Sequence, residues 1–147
     1  MHISNVAMEI LMAYNVEHNF DLDFALQLAL LHDTIEDTAT DFDEIKNEIG
    51  ERIAKGVQAL SKNNNILSKD EKTLDSLNRI NKLDKEVGMV KLADRITNLQ
   101  EPPPFWSKVK ICKYLEEAKM IEKVLVNKNE FLNTRLKNKI AEYKQYT

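Results

Sequence analysis

The chain has 147 residues, of which 43% are hydrophobic and 31% charged, a length and balance that predict one globular domain over residues 1–147 and exclude a disordered chain. A net charge of −3, with lysines and arginines scattered among acids, argues against nucleic-acid binding, and no apolar run predicts a membrane span or an export signal. The lone cysteine, Cys112, excludes an internal disulfide, so we expect a cytoplasmic protein.

Helices are expected throughout, because three glycines and three prolines are too few for a strand-rich domain with many tight turns. Apolar residues at helical spacing predict a first helix over residues 3–14, with His2 at its start. Asp23 is expected to cap a second helix. The apolar run of that helix, residues 24–31, implies burial and ends at His32 and Asp33.

The middle of the chain predicts two shorter helices followed by a loop. Thr40 with Asp43 resembles a loose capping box and Gly50 is typical of a helix end, so a third helix is expected between them. A fourth helix is expected over residues 51–60. The asparagine-rich stretch 61–69 predicts a mobile loop, which can close over a ligand.

The second half of the chain predicts four more helices. The spacing of apolar residues favours helices over residues 74–83 and 87–98, and the three prolines at 102–104 end the latter of them. Two further helices are expected over residues 107–126 and 130–143. The sequence as a whole therefore predicts an all-α fold.

Polar residues at the ends and on the faces of these helices predict a metal site. His32 and Asp33 follow a very apolar helix, where burial of either is unfavourable without a partner. A divalent cation would satisfy both, because imidazole and carboxylate are suitable ligands. Asp94, surrounded in sequence by core residues, is the clearest further ligand, and His2 would be the fourth.

Glu36 and Asp37 follow the His-Asp pair by one helical turn and are predicted to face the same cavity. A carboxylate beside a metal can accept a proton from the attacking water. The alternative interpretation is an acidic segment that leads into the cap at Thr40. We interpret Arg95 as part of a structural ion pair and Cys112 as a small buried residue.

Two stretches resemble the signature motifs of HD-domain hydrolases of the RelA/SpoT type: HDTIEDT at residues 32–38 and KLADRITNL at residues 91–99. The similarity extends from His2 to about Ala118. The resemblance implies a helical bundle around one divalent ion, usually manganese, although iron or zinc also suits two histidines and two carboxylates. It also implies removal of the 3′-pyrophosphate from guanosine tetraphosphate or pentaphosphate, the alarmones of the stringent response.

The resemblance also implies a role for individual residues. The metal ligands would be His2, His32, Asp33 and Asp94, and the residues that orient or activate the attacking water would be Glu36 and Asp37. Contacts with the nucleotide substrate would come from Asn98, Lys110 and Tyr114, and from Lys62 and Lys69 on the predicted loop.

Two departures from the family pattern leave alternatives open. The first ligand of the family is usually followed by proline, where this chain has Ile3, and a helix with an Arg-Lys pair usually precedes it, where this chain has only Met1. Either that helix is missing, or the true start lies upstream, or the substrate differs. The alternative functions are hydrolysis of another nucleotide or phosphate ester, and a non-catalytic module that binds nucleotide or regulates.

Overall fold

A computed structural model describes all residues, 1–147, and confirms the all-α prediction: it contains nine α-helices, a short 3-10 helix and no strand. No helix combines the length and the apolar character that crossing a bilayer requires. In chain order the elements are α1 (His2–Val16), α2 (Leu22–Leu31), α3 (Thr34–Asp37), α4 (Phe42–Glu48), α5 (Glu51–Leu60), α6 (Lys69–Ile80), α7 (Lys85–Asn98), α8 (Lys108–Val124), α9 (Glu130–Tyr143) and a 3-10 helix (Lys144–Tyr146).

Two helices are capped by a different residue from the one expected, and α6 begins at Lys69, which was predicted to lie on the loop, five residues before the expected start. Asp21, not Asp23, caps α2, where its Oδ1 accepts a hydrogen bond from the Phe24 amide at 3.1 Å. Asp41, not Thr40, caps α4 through a hydrogen bond of 2.9 Å from a backbone amide. In both cases the backbone is extended at the capping residue, which places its carboxylate within reach of an amide that has no partner inside the helix.

The short helix α3 was not expected. It starts directly after Asp33, and a separate helix, α4, then occupies most of the stretch predicted for the third helix. Gly50, with φ of 138°, joins α4 to α5 in a conformation that side chains rarely adopt. The extra turn keeps Glu36 close to the end of α2.

The helix α7 lies at the centre of the bundle and packs against α1, α2, α5, α6, α8 and α9. One core of buried apolar residues extends from Val6 in α1 to Tyr143 in α9. At Gly56 the helices α5 and α2 approach closely, since a Cβ there would lie 2.5 Å from Leu28 Cδ2. The helices α1, α2 and α7 contact one another; His2 and Asp94 lie in α1 and α7, and α2 leads directly into His32 and Asp33.

The helix α8 corrects the prediction for Cys112, which is exposed rather than buried. The buried positions of this helix include Ile111, Leu115 and Ala118, which recur at the spacing of one helical face. Cys112 lies about 100° around the helix from Ile111 and so points away from the core. The predicted ion pair of Arg95 is present, with Glu117 of α8 at 2.6 Å.

Candidate metal centre

Three helices bring together two histidines and an aspartate. His2 is the first residue of α1, His32 is the C-cap of α2, and Asp94 lies in α7. One potential ligand atom from each lies within 4.8 Å of the other two. The Oδ1 atom of Asp94 is 2.9 Å from Nε2 of His2 and 3.4 Å from Nε2 of His32. Residues 92 positions apart in sequence thus form a potential metal site.

The surroundings of His32 favour coordination through Nε2. Its Nδ1 lies 2.6 Å from the carbonyl oxygen of Ala29, and because a carbonyl only accepts, Nδ1 carries the hydrogen. In the neutral ring Nε2 then has a free lone pair. This atom is buried and makes no well-aligned hydrogen bond, although carboxylate oxygens of Asp33 and Asp94 lie 3.1 Å and 3.4 Å away, so the atom is left to be satisfied by something else. Two imidazoles and a carboxylate therefore fit a divalent cation.

Asp33 lies beside this group of three. Its Oδ2 is 3.1 Å from Nε2 of His32 and 4.0 Å from Nε2 of His2, although it is not one of the three residues whose ligand atoms meet within 4.8 Å. It precedes α3 directly, at the junction with the end of α2. Its carboxylate is thus available as a further oxygen ligand.

The carboxylates and imidazoles of this group shift the pKa values of one another. Burial lowers the pKa of His32, but the carboxylates of Asp33 and Asp94 outweigh burial and raise the pKa to about 10, so a cation bound to Nε2 would replace a proton there. Burial would raise the pKa of Asp94, yet the imidazoles of His2 and His32 and the charge of Lys91 hold that pKa well below its usual range. Asp94 is therefore ionised at neutral pH, as a metal ligand must be.

A cavity of about 350 Å³ surrounds the group, and we call it the metal cavity. Glu36 lies in its lining and accepts a hydrogen bond from the Lys62 amide at 2.6 Å, which ties the loop over residues 61–68 to the site. Asp37 is exposed and is not among the lining residues. The residues that line this cavity are His2, His32, Asp33, Glu36, Leu60, Lys62, Lys91, Asp94, Arg95 and Asn98.

Two of the predicted substrate contacts reach the metal cavity. The Nδ2 atom of Asn98 donates to Oδ1 of Asp94 at 3.3 Å, so Asn98 lies beside the candidate ligands. Lys62 is half-buried, and this burial lowers the pKa of its ammonium group. Both residues are therefore near the point at which a phosphate could approach the group of three.

The other predicted contacts line a larger cavity of about 740 Å³, which we call the outer cavity. Lys69, Lys110 and Tyr114 all contribute to it. The Nζ atom of Lys110 lies 4.3 Å from the centre of the Trp106 ring, which in turn packs edge-on against Tyr114. The outer cavity thus combines ammonium groups with aromatic rings, a combination that suits a nucleotide.

The ion pair of Arg95 and Glu117 separates the two cavities. Arg95 lines the metal cavity, whereas Glu117 and Tyr114 line the outer cavity. The guanidinium group also lies 4.2 Å from the centre of the Tyr114 ring. The two cavities are therefore neighbours that share one buried wall.

Two charged residues that line the metal cavity were not predicted from the sequence to lie there. The Nζ atom of Lys91 lies 3.7 Å from Oδ2 of Asp94, and Arg95 lines the cavity as well as forming its ion pair. The signal for Lys91 was its position three residues before Asp94, since residues at that spacing are neighbours on a helix. For Arg95 no local signal exists, because its contact with α8 is a tertiary one.

Comparison with known proteins gives one family and two informative structures. A family model described as HD domain matches residues 2–99. A solved structure described as a metazoan ortholog of SpoT that hydrolyzes ppGpp is 25% identical, with a TM-score of 0.78 over 96% of this chain and 79% of that chain. The structure of lmo0812 from Listeria monocytogenes EGD-e is 18% identical, with a TM-score of 0.75 over 97% and 95% of the two chains, and supports the fold alone. A search of curated proteins found no significant match.

Proposed function

The chain belongs to the HD domain family, and on this premise we propose that it is a metal-dependent phosphohydrolase that removes the 3′-pyrophosphate from guanosine tetraphosphate or pentaphosphate. The observation that carries the proposal is the convergence of His2, His32 and Asp94, from three helices, on one small polar cavity. The choice of substrate is supported by the similarity to a structure described as a ppGpp-hydrolysing SpoT ortholog.

We assign one divalent cation, preferably manganese, to four ligands: His2, His32, Asp33 and Asp94. Iron and zinc also suit this set of nitrogen and oxygen donors. Asp33 is included because its Oδ2 lies 3.1 Å from Nε2 of His32. When bound, such a cation lowers the pKa of water and offsets the negative charge that develops on a phosphoryl oxygen.

Glu36 is the proposed proton acceptor, since its carboxylate lines the same cavity as the ligands. The oxygen of the attacking water bonds to phosphorus, its proton passes to Glu36, and the bond between phosphorus and the 3′ oxygen of the ribose breaks. The same carboxyl group can return the proton to the departing 3′ oxygen. Asp37, at the next position, is proposed to orient the water or Glu36. The products are pyrophosphate and GDP or GTP.

The two neighbouring cavities divide the proposed substrate between them. Asn98 and Lys62 line the metal cavity and are proposed to contact the 3′-phosphates. Lys69, Lys110 and Tyr114 line the outer cavity and are proposed to hold the remaining phosphates and the nucleoside. Ammonium groups attract phosphate, and aromatic faces accept a base or a ribose.

The test is an activity assay on purified protein loaded with Mn²⁺. We expect release of equal amounts of pyrophosphate and GDP from guanosine tetraphosphate, measured by anion-exchange chromatography, and much less phosphate from GTP, GDP or a simple phosphate ester. The Asp94→Ala variant, purified in the same way, reports any contaminating phosphatase. The metal content of each sample is measured alongside.

Each other outcome points to a different function. Release of phosphate from the nucleotide panel, without release of pyrophosphate from guanosine tetraphosphate, would assign the chain to a different HD-type phosphohydrolase. A metal content well below one per chain after Mn²⁺ loading, with no turnover of any substrate, would favour a non-catalytic module. Either result would overturn the proposed substrate.

A further inference from the structure

Arg95 is the most buried of the four arginines, yet its guanidinium group makes the fewest hydrogen bonds. Its side chain is 5% exposed, and only Nη2 has a partner, which is Oε1 of Glu117 at 2.6 Å. The atoms Nε and Nη1 are buried and have no hydrogen-bond partner. A buried donor in this state is unfavourable, and more so when it belongs to a charged group.

The three other arginines show how this chain satisfies a guanidinium group that lies outside both cavities. Arg52 and Arg79 each donate from all three nitrogens to carboxylates or to backbone carbonyl oxygens. Arg135 donates from Nε and Nη2 to the two carboxylate oxygens of Glu9, in the two-pronged geometry that this pair of groups prefers. These side chains are 30% to 51% exposed, so water also reaches them. The single hydrogen bond of the far less exposed Arg95 is therefore unusual in this chain.

The position of Arg95 indicates where a ligand would meet its free donors. The residue follows Asp94 directly in α7 and lines the metal cavity. Glu117 and the ring of Tyr114, whose centre is 4.2 Å from the guanidinium carbon, hold the group at the wall between the two cavities. A ligand that extends from the metal site towards the outer cavity would therefore pass beside Arg95.

The charges of the metal cavity indicate that this ligand is an anion. Six charged residues line the cavity, three acidic and three basic: Asp33, Glu36, Asp94, Lys62, Lys91 and Arg95. A divalent cation at the proposed site adds two positive charges, so the lining as a whole becomes cationic. Arginine suits a phosphoryl oxygen in particular, because its planar group offers several donors and stays charged at any relevant pH.

We propose that Arg95 binds the 3′-pyrophosphate group of the substrate, donating from Nε or Nη1 to its non-bridging phosphoryl oxygens while Nη2 stays bonded to Glu117. The inference rests on the proposed phosphohydrolase function and adds a substrate-binding residue to it. A guanidinium group already held at the wall needs little reorganisation when the phosphate arrives, so its hydrogen bonds contribute more to binding than those of a mobile surface lysine.

The test measures the Kd for inorganic phosphate by isothermal titration calorimetry, on protein loaded with Mn²⁺ and freed of excess metal. The double variant Arg95→Met, Glu117→Gln removes both charges of the wall, so neither is left buried alone. We expect its Kd to be roughly 10- to 100-fold higher than that of the unaltered chain, because a charge-assisted hydrogen bond is lost. The single variant Glu117→Gln keeps the guanidinium group and loses a negative charge, so it should bind phosphate at least as tightly as the unaltered chain.

The matched control is the double variant Arg135→Met, Glu9→Gln. It removes another pair of arginine and buried glutamate, but one that lies outside both cavities, so stability should change and the Kd for phosphate should not. Circular dichroism checks that each variant is helical. If the double variant at the wall fails to fold, Arg95→Lys replaces it. The lysine has one nitrogen, which Glu117 would occupy, so the Kd for phosphate should again rise.

Three results would overturn the inference. One is an unchanged Kd in the variant at position 95, because phosphate would then not contact Arg95. Another is an equal loss of affinity in Glu117→Gln or in the matched control, which would give Arg95 a purely structural role. The third is the absence of phosphate binding to the unaltered chain up to about 10 mM.

Failure of the proposed function would look different from failure of this inference. The chain would then release no pyrophosphate from guanosine tetraphosphate, while its affinity for inorganic phosphate would still depend on Arg95. The calorimetric comparison needs no turnover, so it separates the two cases.

Discussion

The metal cavity and the outer cavity share a wall, but they differ in their other residues. Those of the metal cavity are fixed by helix packing, whereas those of the outer cavity are largely exposed. His2, His32 and Asp94 contact one another and belong to helices that pack together around the core. The ammonium groups of the outer cavity belong to Lys69, Lys110 and Lys113, which are exposed in the first half of α6 or of α8. A substitution in the metal cavity is therefore expected to abolish activity, whereas a substitution in the outer cavity should only reduce it.

The largest expected effect is that of Asp94→Ala. Removal of one ligand leaves two adjacent histidines without their shared carboxylate, so we expect loss of bound metal and of turnover while the helices remain. Metal analysis, an activity assay and circular dichroism measure the three quantities. Asp75→Ala, which removes a carboxylate paired with Arg79 on α6, is the matched control and should keep metal and activity. Full activity with unchanged metal content in Asp94→Ala would falsify the site.

The next effect concerns Glu36 and Asp37, which are expected to act on the water and not on the metal. The double variant Glu36→Gln, Asp37→Asn should keep metal and most substrate affinity yet lose turnover by about 10²–10⁴-fold, as is typical of a general base. Of the single variants, Glu36→Gln should account for most of the loss, because only Glu36 lines the metal cavity. Stopped-flow or steady-state kinetics on metal-replete protein provides the measurement.

Two other results of this experiment have different meanings. Loss of bound metal in the double variant would identify one of the two carboxylates as a ligand. A lower melting temperature with unchanged turnover would instead support a purely structural role for the acidic segment. Near-normal turnover with metal retained would contradict the mechanism even if the ligands are right.

The wall between the cavities should matter for stability. Glu117 is 8% exposed and pairs with buried Arg95, so Glu117→Gln leaves a buried positive charge without its partner. We expect the free energy of unfolding to fall by about 3 kcal/mol, measured by urea denaturation. The neighbouring Glu116→Gln is the control, because Glu116 is 68% exposed and its pair with Lys119 should contribute less than about 1 kcal/mol. Equal losses in the two variants would contradict the structural role of the wall.

The same pair predicts a dependence of stability on pH. Burial raises the pKa of Glu117, but the charges of Arg95 and Lys62 outweigh burial, so the pKa in the folded protein lies below its ordinary value. The pair therefore stabilises the protein above the unfolded pKa of about 4.3, and this contribution is lost as the pH falls through the folded pKa. The difference in unfolding free energy between the unaltered chain and Glu117→Gln should narrow in acid.

The smallest effect is expected in the outer cavity. Lys110→Ala removes one exposed ammonium group, so we expect KM to rise about tenfold, equivalent to about 1.4 kcal/mol, with little change in kcat. Lys123→Ala, at the other end of α8, is the control and should leave KM unchanged. A loss in kcat as large as that of Glu36→Gln would show that the two cavities do not differ in the way proposed.

Much of the fold could be predicted because helix formation is mainly a local property. The sequence located every longer helix, and α5 and α9 begin and end where it predicted, whereas α6 begins five residues earlier than expected. Capping was less certain, since Asp21 and Asp23 are chemically equivalent and only the backbone path decides which carboxylate reaches the free amide. The isolated turn of α3 has too few residues to show any periodicity, and it was missed.

The sequence by itself determined which residues are the candidates for the chemistry, because the types of side chain that bind a divalent cation are few and their motifs are local. The tertiary structure alone decided which of them meet: it brought His2 to Asp94, tied Glu36 to Lys62, and paired Arg95 with Glu117. It also decided that Cys112 faces solvent, since exposure depends on which face of α8 the other helices cover. Contacts between distant residues depend on how whole helices pack, and no local pattern along the chain specifies that packing.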